Sequence, residues 1–77
     1  MNLLLVDDEV PALAKLRRLL ADEAGLRVVA EAAAGAAALA IVAAQPEAID
    51  AVLLDIQMPG ASGLEVAAAL PAHVLVA

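Results

Sequence analysis

Four short apolar runs punctuate the chain, and the stretches between them carry apolar residues at helical spacing. Leu3–Val6 is continuously apolar and stops at Asp7, the pattern of a strand buried on both faces of a parallel sheet. After it, Pro11 suits the first turn of a helix, and Leu13, Leu16 and Leu20 recur on one side of that helix while Lys15, Arg17 and Arg18 turn elsewhere. Gly25 is expected to end it. Leu26–Ala30 then reads as a second strand, Ala36–Gln45 as a second helix stopped by Pro46, and Ala51–Leu54 as a third strand running into Asp55. Met58-Pro59-Gly60 predicts a turn, Ser62 the cap of a third helix reaching about to Leu70, and Val74–Val76 a fourth strand. The alanine-rich stretch from Ala30 to Ala44 is read as a packed helix rather than as low complexity, because Leu39, Ile41 and Val42 lie within it.

Strands alternating with helices imply a parallel sheet covered on both faces, with right-handed crossovers. If the second and third strands flank the first, the first helix covers one face and the other two helices cover the opposite one. Ligand crevices in such sheets open at the carboxyl ends of the strands, where the winding direction reverses. Asp7, Asp8 and Asp55 all fall at those ends.

Composition narrows the classes. With 77 residues, one domain is the limit, and it is shorter than the usual ~100–150. Of the 65% hydrophobic residues, 22 are alanines, so an ordinary core is implied in spite of the high hydropathy. The longest uncharged stretch, Ala32 to Pro46, is mostly alanine and falls short of the ~20 apolar residues of a membrane span. The apolar start lacks a basic flank and a cleavage site, so no secretory signal is read. Without cysteine there is no disulfide framework or thiol site, and the cytoplasm is the default location. A net charge of −6 argues against direct nucleic-acid binding.

Three carboxylates converging on one crevice repel one another, and a hard divalent cation relieves that repulsion. Magnesium, with its preference for oxygen ligands and retained waters, matches such a set; no histidine or cysteine cluster points to zinc. At this point the residues resemble a family. Leu3-Leu4-Leu5-Val6-Asp7-Asp8-Glu9, then Leu53-Leu54-Asp55-Ile56-Gln57-Met58-Pro59-Gly60 and Ser62-Gly63-Leu64-Glu65, closely resemble the CheY-like receiver domains of two-component response regulators, over Leu3 to Val76. The resemblance implies a flavodoxin-like doubly wound α/β fold. Over 1–77 it implies a receiver cut after the fourth strand, without the fifth strand and last two helices. It implies Asp55 as phospho-acceptor, and Mg2+ held by Asp7, Asp8, Asp55 and the backbone carbonyl of Gln57. The implied phosphoryl donor is a sensor histidine kinase. An output domain outside this chain is implied too, and the wording from Met58 to Gly63 together with the basic first helix looks most like receivers preceding LytTR-type DNA-binding domains.

The sequence also departs from the family. Receivers complete the site with a threonine or serine ending the fourth strand and a lysine ending the fifth, whereas this chain has no threonine and its sole lysine is Lys15. Whether Ala77 takes the hydroxyl position or precedes it stays open. Other readings are a degenerate receiver that docks without phosphorylation, an inactive fragment, and a haloacid-dehalogenase-like phosphatase. The last needs an acid two residues beyond its nucleophile, where this chain has Gln57. His73 is expected to be a solvated turn residue without a role. Lys15, Arg17 and Arg18 are expected to form a solvated helix face that a kinase could meet.

Overall fold

A computed structural model describes residues 1–55 and 63–76. Its elements follow in the order β1 (Asn2–Val6), α1 (Val10–Ala21), β2 (Arg27–Ala32), α2 (Gly35–Ala44), β3 (Ala51–Leu54), α3 (Gly63–Ala69) and β4 (Leu75–Val76). The four strands form one parallel sheet in the order β2-β1-β3-β4. This is the doubly wound, flavodoxin-like arrangement, with β1 between the second and third strands. The turn at Met58-Pro59-Gly60, the proposed cap Ser62, and Ala77 lie outside the described residues.

Strand β1 is apolar on both faces because both are covered. Leu4 and Val6 join Ala32, Ala38, Val42, Ile49, Val52 and Val74 in one buried cluster beneath α2, against which α3 packs. The alternate residues Leu3 and Leu5 face the other way, where α1 packs over β1 and β2 and buries Leu13. Helix α2 closes on the sheet through Gly35, Ala38 and Val42, with Leu39 and Ile41 only partly buried. Two of those three contact residues are small, so one alanine that looks bland in sequence, Ala38, is part of the packing surface, while the other alanines of α2 are exposed.

Register is pinned at the amino end of the sheet. The Asn2 N–H donates to Asp50 Oδ2 at 2.7 Å, and the Asp50 N–H donates back to the Asn2 carbonyl at 2.9 Å. From there Leu3 to Val6 pair in order with Ala51 to Leu54. A one-residue slip would turn the whole apolar set to the wrong face.

The largest departures from the expected boundaries are at α1 and β2. Helix α1 stops at Ala21 rather than at Gly25, because Asp22 takes the C-cap and a separate turn follows. In that turn the Leu26 N–H donates to the Glu23 carbonyl at 3.3 Å, and Gly25 has φ of 85°, a left-handed conformation that costs glycine little. Strand β2 begins at Arg27 and runs to Ala32, two residues beyond the expected Ala30, because its pairing continues to the end of β1 at Val6↔Ala32. A bulge intervenes: Leu3 pairs with Val28 but Leu4 with Ala30, which leaves Val29 out of register.

Candidate functional site

Strands β1 and β3 end side by side, with Val6 opposite Leu54, so the residues that follow them enter one crevice. Two backbone bonds extend the ladder by a step: the Asp55 N–H donates to the Val6 carbonyl at 3.0 Å, and the Asp7 N–H donates to the Ala32 carbonyl at 3.1 Å. Asp7 and Asp55 are therefore held by the sheet and are half-buried, while Asp8, one residue beyond it, is exposed. Carboxylate oxygens of Asp7, Asp8 and Asp55 lie within 4.8 Å of one another. The topology brings together three of the four proposed ligands; the fourth, the Gln57 carbonyl, lies outside the described residues.

This donor set fits a hard cation. All three groups are anionic oxygens, and ligands on opposite sides of a magnesium ion stand about 4.2 Å apart, twice its ~2.1 Å bond length. The 4.8 Å limit on the cluster is close to that span, so small side-chain rotations or one bridging water bring the set into an ion's first shell. Asp7 and Asp55 open onto a cleft of about 390 Å³ whose other walls are apolar: Val6, Leu16, Leu53 and Leu54.

Sequence reading missed three features, one of them at the cluster itself. The Glu9 N–H donates to Asp7 Oδ1 at 2.9 Å, a bond from side chain to backbone two residues on that an aspartate before a helix favours but a motif does not show. Arg17, on the expected solvated face of α1, makes an ion pair with Glu31 of β2, Nε to Oε2 at 2.9 Å, while Lys15 and Arg18 are exposed as expected. His73 is an exposed turn residue as expected, and its Nε2 also bonds the Pro46 carbonyl at 2.7 Å, which ties the approach to β4 to the segment after α2.

Fold and carboxylate cluster together define a signalling receiver. Residues 3–75 match the family described as "Response regulator receiver domain", and the chain belongs to that family. It is 45% identical over 64 residues to the response regulator UvrY of Escherichia coli K12, an alignment covering 83% of this chain and 28% of that protein. Among solved structures, it superposes with a TM-score of 0.90 and 29% identity on a chain of the CheX-CheY-BeF3-Mg+2 complex from Borrelia burgdorferi, over 99% of this chain and 58% of that one. It also superposes with a TM-score of 0.83 and 30% identity on a LuxR-family two-component response regulator from Aurantimonas sp. SI85-9A1, over 97% of this chain and 56% of that one. The chain thus spans less than a third of UvrY and somewhat more than half of the solved chains.

Proposed function

We propose that Asp55 is the phospho-acceptor of this receiver, and that Asp7 and Asp8 hold Mg2+ beside it with help from the Gln57 carbonyl. The observation that carries the reading is the convergence of three carboxylates, within 4.8 Å, at the carboxyl ends of β1 and β3. The CheX-CheY complex, to one chain of which this chain is similar, contains Mg2+ and BeF3, which supports a reading with a cation and a phosphoryl-like group.

In this reading a carboxylate oxygen of Asp55 attacks the phosphorus of a phosphohistidine on a sensor kinase in line with the departing imidazole. The new O–P bond makes an acyl phosphate as the P–N bond breaks, and the imidazole nitrogen keeps the electron pair and takes up a proton. Bound magnesium would supply the positive charge that the phosphoryl oxygens need in transit. The sheet aims the nucleophile: the bond from Asp55 N–H to Val6 fixes its backbone, and Leu53 and Leu54 line the cleft beside it. The result is one stored signal per chain rather than turnover.

The proposal extends to a cytoplasmic signalling chain read by an output domain, but not to the LytTR subfamily. The relatives lend that subfamily no support, and one matching structure comes from a LuxR-family regulator. A phosphorylation-independent docking module would keep the same fold and acids without taking a phosphoryl group.

Acetyl phosphate with magnesium tests the reading. An acyl phosphate, reduced to trap it and located by mass spectrometry, should map to Asp55, and Asp55→Asn should abolish it. Label on another residue would overturn the assignment of Asp55, and none on a folded and metal-bound chain would favour the docking module.

A further inference from the structure

Asp7 does not meet the cluster as a freely rotating side chain. Its backbone N–H is committed to Ala32 of β2 at 3.1 Å, and its Oδ1 accepts the Glu9 N–H at 2.9 Å. Glu9 is itself fixed from the helix side, since its carbonyl accepts the N–H groups of Ala12 at 3.1 Å and Leu13 at 3.2 Å in the first turn of α1. Its side chain makes no cap bond, so the peptide alone is engaged. The Glu9 backbone therefore links the start of α1, through its carbonyl, to the Asp7 carboxylate, through its N–H.

We infer that Glu9 is a positioning residue for the metal site, acting through its backbone N–H: it sets the rotation of the Asp7 carboxylate so that Oδ2 is presented to the cation that Asp8 and Asp55 share. The inference rests on the proposed metal site and adds a part to it. Two physical effects favour the arrangement. A carboxylate already anchored by one oxygen loses less rotational freedom when the other takes a ligand. A donor on Oδ1 also offsets part of the repulsion from the neighbouring acids when no cation is bound, so the cluster stays assembled for the ion to enter. Outer-shell bonds of this kind commonly govern metal affinity as much as they orient ligands.

A backbone donor is best tested by replacing the amide with an ester. In a full-length chain made by chemical ligation, an ester between Asp8 and Glu9 removes the N–H and keeps every side chain. Manganese, whose binding is read by paramagnetic relaxation of water, serves as the probe. The ester should weaken Mn2+ binding roughly tenfold, and in an Asp7→Ala background the same ester should cost less than twofold, because the group it positions is gone. An equal loss in both backgrounds would mean a merely structural role, and an unchanged affinity in the wild-type background would overturn the inference outright. Amide exchange of the unmodified chain provides a second measure, independent of whether the ester folds. The Glu9 N–H should be protected without metal and lose that protection in Asp7→Ala, and an unprotected Glu9 amide in the wild type would also overturn it. If the unmodified chain, folded, binds no Mn2+ at all, the proposed metal site fails; if it binds Mn2+ and the ester and exchange results go the other way, only the positioning role fails.

Discussion

Asp8 differs from its two neighbours in being exposed and beyond the last backbone bond of the sheet, and this gives its substitution a two-signed consequence. Two like charges no more than 4.8 Å apart repel by about 1 kcal/mol even at the dielectric of water. Without metal, Asp8→Asn should therefore raise the melting temperature by a few degrees, since it removes that repulsion from both partners. With magnesium at ten times its dissociation constant, the wild-type chain gains about 1.4 kcal/mol by linkage, or on the order of 5–10 °C for a domain this small. Asp8→Asn should lose most of that gain. A calorimetric melt of both chains with and without Mg2+ checks both signs, and a destabilised metal-free Asp8→Asn would show that the carboxylate has a structural task instead. The acids themselves were legible in the sequence because each follows directly on an apolar run, and a parallel sheet puts such positions at one end. The Glu9 N–H on Asp7 was not, because it belongs to backbone that every residue but proline carries.

At the scale of the elements, strand β3 matches its sequence reading residue for residue, bounded by Asp50 and Asp55, and β1 extends it only by Asn2. Where charge does not mark the end, the reading drifts. Gly25 looks like a helix stop, yet it serves a turn four residues past Ala21, and Glu31 does not end β2 because the edge strand can carry an acid outward and pair it with Arg17. Helix α2 agrees with its sequence reading to within one residue at each end, but of the residues that mark it as a packed helix, Leu39, Ile41 and Val42, only Val42 is buried, and Ala38, 0% exposed, is buried with it. Hydrophobicity ranks leucine above alanine as a core residue, and helix-to-sheet distance reverses that rank when the space is small. Ala38→Leu should therefore over-pack the α2 layer and cost about 1–3 kcal/mol, while Ala37→Leu, one position away on the exposed face, should cost well under 1 kcal/mol by helix propensity alone. Urea unfolding of the two variants provides the comparison. Equal midpoints would mean that α2 does not sit as close to β1 as described.

On the scale of the whole molecule, the two faces of the sheet are covered unequally. The radius of gyration, 11.4 Å, is that of a compact chain of this length, about 11.5 Å by the usual scaling. The side beneath α2 is closed over Leu4, Val42 and Val52, with exposure only at the edge, where Val76 in the same row is 43% exposed. On the other side α1 packs over β1 and β2, and the register that puts Leu3, Ala51 and Leu75 in one row leaves Leu53 half-buried and Leu75 61% exposed. A domain of this size buries only about 60% of its unfolded surface, and the chain has no aromatic residue with which to enlarge its core. Compactness here does not imply a finished core. The protein should consequently melt at low temperature over a broad range, and its folded state should bind an apolar dye such as ANS on the β3–β4 side. Leu75→Asp should reduce the dye signal with little loss of stability, because a residue so exposed contributes little burial; Val52→Asp, on the closed side, should unfold the chain. A sharp melt with no dye binding by the wild type would mean that Leu53 and Leu75 are covered in solution, and Leu75→Asp should then shift the melt as strongly as a core substitution does.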